Sequence, residues 1–210
     1  MRRKKKTFIR RFFLSILLLA VVALGIFVFK NYRKLEAVHQ YDQMVEEAVG
    51  KAEIPQYKDL VLAILMTESK GQGPDPMQSS ESVHGEMNKI QDPQESIESG
   101  VAHFKKALQR ASEQDTDIWT AVQAYNFGLD YIDYIAQQGG VTTTEKAETY
   151  SRDILSPLLG NTEQTKYRYL GLSALIYNGG YLYHNGGNLF YADLVKLNET
   201  KIKMTAFLFR

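Results

Sequence analysis

A mainly α-helical domain behind a single amino-terminal transmembrane helix is the fold class the sequence predicts. Three observations lead there. An uncharged, apolar 18-residue run, "FFLSILLLAVVALGIFVF", lies near the start. Apolar residues recur at three- and four-residue steps through most of the remainder. Helix-capping and helix-breaking residues bound those segments. With 210 residues, the chain has room for one ordinary domain plus an appendage.

The apolar run, Phe12 to Phe29, spans roughly 27 Å as a helix, close to a bilayer core of about 30 Å. A helix satisfies its own backbone, so it can cross lipid. Seven basic residues precede the run and three follow within five positions. That asymmetry predicts a cytoplasmic tail over residues 1–11, an anchor over 12–29, a linker over 30–37 and an exported domain over 38–210. The competing reading is a cleaved signal peptide, with Ala23-Leu24-Gly25 as the cleavage site. Cleavage there would leave the apolar Ile26-Phe27-Val28-Phe29 as a new terminus, and the run is long for a signal.

Beyond the anchor, Leu35, Val38, Tyr41, Val45 and Val49 predict a helix continuing to about Val49. Tyr57–Glu68 is the next helix, and "GQGPDP" (Gly71–Pro76) breaks the chain into a loop. Asp92-Pro93-Gln94-Glu95 reads as a helix start, with Asp92 as cap and Pro93 at the first helical position. Ile97, Val101, Phe104 and Leu108 form the stripe of that helix, and Ile118, Val122 and Tyr125 mark another. "QQGGVTTTE" (Gln137–Glu145) is a loop. Thr144 is the expected cap of a helix through Ala147, Tyr150 and Ile154, ended by Pro157 and Gly160. In the tail, "YNGGYLYHNGG" carries two Asn-Gly-Gly turns, which predict a hairpin or an irregular wrap. Its tyrosines fit either a sugar platform or a closed core edge.

Composition excludes several classes. The chain has no cysteine, so disulfides, thiolate metal sites and cysteine nucleophiles are absent. The net charge of +1 conceals ten basic and no acidic residues over 1–34, leaving 15 basic and 24 acidic residues beyond, a net of −9. An acidic body argues against a nucleic-acid partner. His39, His84, His103 and His184 lack paired ligand spacing, so neither a metal nor any other cofactor is expected.

One residue conflicts with its helix. Leu60, Val61, Ile64 and Leu65 form the apolar stripe of the Tyr57–Glu68 helix, and its next member is Glu68. Burial there raises the pKa of a carboxyl group, and the negative helix end disfavours an anion. A carboxylic acid kept protonated near neutral pH is what a glycosidase needs to protonate a leaving oxygen. The competing reading is a glutamate bonded to a neighbouring element or turned outward at the helix end.

Four motifs add to this reading: "TES" (Thr67–Ser69), "DPMQSSES" (Asp75–Ser82), "AVQAYNFG" (Ala121–Gly128) and "ETYSRDIL" (Glu148–Leu155). Their order resembles the lysozyme-like superfamily of goose-type lysozymes and soluble lytic transglycosylases. The nearest resemblance is to the bacterial lysozyme-like muramidase domain found in pneumococcal vaccine antigen A and in conjugative-element cell wall hydrolases. It covers roughly residues 38–210. It implies a lysozyme-like fold, Glu68 as general acid, and Met77 and Gln78 on the cleft floor. Tyr125 and Asn126 would face Glu68, the tyrosine positioning the acid or the sugar. Ser79 and Ser80 would donate to N-acetyl or lactyl groups. The sequence departs from the transglycosylase pattern at Asp75-Pro76, where that family has Gly-Leu.

An inverting hydrolase needs a second carboxylate to activate water, whereas a lytic transglycosylase makes a 1,6-anhydro product without one. Candidates for the base are Asp75, Glu81, Glu86 and Asp92. Asp75 and Glu81 flank the Met-Gln loop. Asp92 already has a capping role. The goose-type resemblance favours Glu81. The expected function is therefore a membrane-anchored, extracytoplasmic N-acetylmuramidase on the cell-wall side of a Gram-positive membrane. Its expected partners are peptidoglycan glycan strands, the cytoplasmic membrane and an envelope or conjugation machinery. The alternatives are a lytic transglycosylase, an inactive peptidoglycan-binding scaffold and, least supported, a membrane structural subunit.

Overall fold

The computed structural model describes residues 2–80, 85–86 and 89–209, with side chains from residue 12 onward. The first helix, α1, runs unbroken over Arg2–His39. Its 12–29 stretch is exposed throughout and is long and apolar enough to cross a membrane. Residues 30–37, expected as a linker, continue that helix. Leu35 and Val38 already enter the core, so a continuous helical rod joins apolar run and domain.

The predicted helix to Val49 breaks once. A tight turn at Gln40-Tyr41 separates α1 from α2 (Asp42–Lys51). The amide of Tyr41 bonds the carbonyl of Val38, and that of Val45 bonds the carbonyl of Tyr41. The whole stripe from Leu35 to Val49 is nonetheless buried. A 3-10 turn at Pro55–Tyr57 leads into α3 (Lys58–Glu68), whose residues 60–66 are all buried. This helix is the centre of the domain, flanked by α1, α2 and the carboxy-terminal helix.

Next comes α4 (Pro93–Glu113), capped by Asp92, whose Oδ1 accepts the amide of Gln94 at 3.0 Å. It packs on α5 (Ile118–Phe127), which is capped by Asp117. A short α6 (Asp130–Ala136), absent from the sequence expectations, follows. The next helix, α7, spans Thr144–Tyr150. It continues through a π turn at Ser151–Leu155 and a final turn at Ser156–Leu158. Thr143, not Thr144, caps it, accepting the amide of Lys146. Pro157 does not end this helix. The preceding wide turn accommodates a residue without an amide hydrogen, and the chain leaves at Gly160 with φ +96.

The tail combines strand and helix. Strands β1 (Lys166–Arg168) and β2 (Tyr181–Tyr183) pair antiparallel, Tyr167 opposite Leu182. The first Asn-Gly-Gly does not form the hairpin turn. It caps α8 (Leu172–Asn178), inserted between the strands, with Gly179 left-handed at φ +77. The second turn leads to α9 (Tyr191–Thr205), which the sequence reading missed. This helix lies against α3, with Tyr191, Val195 and Ile202 buried.

The candidate active site around Glu68

Glu68 ends α3 on the stripe where its periodicity puts it. Its carboxyl is pushed up to about 7 from the ordinary 4.5. Burial is the largest cause, and the nearby Asp75 charge adds to it. A hydrogen bond works in the other direction: the Tyr191 hydroxyl donates to Oε1 across 2.5 Å. The acid is therefore half protonated near neutral pH.

Tyr191 comes from the missed helix, and a polar splint explains its position. Gln123 is buried on α5. Its Nε2 donates to the carbonyl of Asn188 at 2.9 Å, and its Oε1 accepts the amide of Ala192 at 3.0 Å. Three residues further on, Asn126 Oδ1 accepts the amide of Asn188 at 2.7 Å. Together they fix the entry of α9 and aim Tyr191 at Glu68. Deeper along α9, Asn198 donates to the Thr67 hydroxyl at 3.0 Å. Gln123 carried the same signal as Glu68, a polar residue on a buried helical face. Tyr191, Val195, Asn198 and Ile202 show the helical spacing that would have revealed α9.

Tyr125 faces the acid region but does not bond Glu68. Its hydroxyl donates to the carbonyl of Met77 at 3.0 Å, and its ring stacks on Tyr191 at 6.3 Å. Burial, followed by the charges of Glu68 and Asp75, raises its pKa well above the ordinary value. The hydroxyl bonded to Glu68 is that of Tyr191, while Tyr125, expected to position the acid or the sugar, bonds the Met77 carbonyl. Met77 is fully buried and makes no open floor. It fits against Gly100 of α4. A Cβ on Gly100 would lie 2.7 Å from Met77 Cβ and 2.9 Å from the Tyr125 hydroxyl.

Asp75 holds the loop together. It is 5% exposed and, among the described residues, accepts from the amides of Ser79 and Ser80 and the hydroxyls of Ser80 and Ser96. Its shortest partners are the hydroxyls of Ser80 and Ser96, each at 2.6 Å. The amides of Ser79 and Ser80 donate at 3.0 and 3.1 Å. Burial alone would raise this carboxyl, but the hydrogen bonds outweigh it and hold it below the usual carboxylate range. Ser79 and Ser80, expected to serve the sugar, serve this buried carboxylate through the Ser79 amide and the Ser80 hydroxyl, because an unpaired charge there would be costly. Ser79 also donates to the carbonyl of Ser96 at 3.0 Å.

Gln78 is exposed, with a left-handed backbone at φ +49. It lines a groove of about 390 Å³ together with Ser79, His103, Tyr125, Asn126 and Leu155. Glu86 lies on the surface, 2.7 Å from Lys89. Asp92 is the helix cap. Glu81, expected as the base, lies outside the described residues, as does His84. In the tail, Tyr183 is buried, and the hydroxyls of Tyr177 and Tyr183 both donate to Glu148. Tyr177 and Tyr181 stay exposed.

The lysozyme-like family model matches residues 35–199. A pneumococcal vaccine antigen A homolog of Streptococcus pyogenes is 46% identical over 190 residues, covering 90% of this chain and 94% of that protein. The bifunctional muramidase/DL-endopeptidase CwlT of Bacillus subtilis is 38% identical over 125 residues, covering 60% of this chain and 32% of its own length. A solved Staphylococcus aureus structure, described as similar to an NLP/P60-family lipoprotein, superposes with a TM-score of 0.71 at 33% identity. The match covers 78% of this chain and 52% of that one. Fold and sequence kinship together make this chain a member of the lysozyme-like family.

Proposed function

We propose that the chain is a membrane-anchored N-acetylmuramidase that cuts the β-1,4 bond between N-acetylmuramic acid and N-acetylglucosamine. The observation that carries this reading is Glu68, a helix-terminal carboxyl with a pKa of about 7 and the Tyr191 hydroxyl donating to its Oε1. In the proposed reaction its protonated form gives its proton to the glycosidic oxygen as the bond breaks. Tyr191 holds the carboxyl in place and stabilises the anion left behind. A binding scaffold would need no such acid. The muramidase named in CwlT supports the substrate class.

Hydrolysis requires a base for water. Asp75 is saturated with donors, which favours a loop-holding role over a catalytic one. Glu81, directly after Ser80, remains the proposed base. The same saturation favours the second reading, a lytic transglycosylase, in which the muramyl 6-hydroxyl attacks and Glu68 serves as acid and then base. The apolar run of α1 is the proposed anchor, with the domain outside and residues 1–11 inside. Such a tether suits local opening of the wall mesh.

The deciding experiment is mass analysis of muropeptides released by the full chain in detergent. Reducing muramic acid ends are expected, and Glu81→Gln should lower turnover with little effect on wall binding. Products lighter by one water and lacking a reducing end would establish the transglycosylase. No products, from a correctly folded chain, would sink both enzymatic readings.

A further inference from the structure

The carboxy terminus returns to the helix that leaves the apolar run. Phe209 stacks on Tyr32 at 5.5 Å and on His39 at 4.4 Å. Tyr32 lies three residues past Phe29, a rise of roughly 4.5 Å, which falls within the headgroup layer flanking a bilayer core. The 3-10 turn Ala206–Leu208 sits immediately before Phe209. Around it, Met204, Phe207 and Leu208 are 70%, 70% and 51% exposed. Three large apolar side chains thus project beside the point where α1 would leave the lipid.

Five basic residues lie there, two of them paired with a carboxylate: Arg33 with Glu36 and Lys203 with Glu199. Lys30, Arg33 and Lys34 lie on α1, and Lys201 and Lys203 on α9. Burial first, then the neighbouring Lys34 charge, lower the Lys201 pKa, so two like charges approach each other across the two helices. Among the described residues neither Lys34 nor Lys201 has a carboxylate within ion-pair distance. Exposed apolar side chains that follow lysines in sequence, beside the exit of an apolar span, are the pattern of a segment lying in the headgroup–acyl boundary.

We infer that residues 204–209, the end of α9 with the 3-10 turn that follows it, form a second membrane contact, inserting Phe207 and Leu208 into the outer leaflet beside the anchor. This rests on the reading of Phe12–Phe29 as a membrane span, and not on the enzymatic reading. Two contacts, joined by a continuous helix and the Phe209–Tyr32 stack, fix the domain's tilt and the height of its groove above the lipid. A single span would leave the domain free to lean.

The chain has no cysteine, so single cysteine variants carry one label each. The full chain, reconstituted in vesicles of phosphatidylcholine and phosphatidylglycerol, is labelled with a nitroxide at Phe207→Cys, Leu208→Cys, Val21→Cys or Ile176→Cys. Val21 reports the span, and Ile176, 78% exposed on α8, reports an apolar side chain away from it. Collision with oxygen, which partitions into lipid, is compared with collision with a water-soluble nickel chelate. The expected result is oxygen preference at Phe207, Leu208 and Val21, and nickel preference at Ile176. Nickel preference at Phe207 and Leu208 with oxygen preference at Val21 would overturn the second contact alone. Nickel preference at Val21 as well would overturn the span and the contact together.

Discussion

Tyr191 and Glu68 are 123 positions apart in sequence and 2.5 Å apart at their oxygens. The bond sets two opposing influences on one carboxyl: burial raises its pKa and the hydroxyl lowers it, leaving a value of about 7. The carboxyl carries both influences because α9 returns to the end of α3.

Glu68→Gln is expected to abolish wall digestion while keeping the fold, since the amide accepts the Tyr191 hydroxyl but has no acidic proton. Its stability should carry a pH signature. The folded carboxyl has its pKa raised, so its favourable contribution is complete below 4.5 and lost as pH rises through about 7. The parent should lose up to about 3 kcal/mol across that window, and the variant should not. Denaturant melts at pH 4.5 and 8 measure this. Equal pH dependence of the two proteins would contradict the burial argument.

Tyr191→Phe removes the one interaction shown to favour the Glu68 anion. The alkaline limb of kcat/KM, expected near pH 7, should move upward by up to about one unit. Turnover should fall by roughly tenfold as the carboxyl loses its positioning. A pH–rate profile of both proteins gives the answer, and an unmoved or lowered limb would count against the assignment.

Asp75→Asn should act on stability more than on chemistry. An amide would point hydrogens at the serine donors that Oδ1 and Oδ2 now accept. The expected cost is about 2–4 kcal/mol. Because the folded Asp75 pKa is depressed, the parent keeps this stability above 3.8 and loses it as pH falls through the folded value. The variant should lack that acid-side loss. A fully stable, inactive Asp75→Asn would instead point to a catalytic base.

Gly100→Ala places a methyl group 2.7 Å from Met77 Cβ and 2.9 Å from the Tyr125 hydroxyl. The Met77 loop or the Tyr125 ring has to shift. A loss of about 1–3 kcal/mol is expected, with reduced activity, although no polar group is changed. Thermal melts paired with a wall-digestion assay test it. Unaltered stability would show that the contact relaxes freely.

Local pattern was legible where a segment decides its own structure. The apolar run, the α3 stripe with its misplaced glutamate, the Asp92 cap and the break after Glu68 were all read from spacing and side-chain chemistry. So was the family resemblance, carried by short motifs in order. The readings that failed depended on contacts between distant segments. Thr144 and Thr143 are equally able to cap, and Pro157 ends a helix unless a π turn precedes it. Asn-Gly-Gly at 178–180 fits a hairpin turn until a helix is inserted between the strands.

What the sequence by itself determined is that a carboxyl lies on a buried helical face behind a run long and apolar enough to cross a membrane. Periodicity and charge are properties of contiguous residues, so they can be read along the chain. Only the tertiary structure decided which groups act on that carboxyl. Tyr191 reaches it because Gln123 and Asn126 pin the start of α9. Asp75 is committed to the serines because a buried charge draws every donor within reach. Partner choice depends on distances through space, which spacing along a chain does not encode.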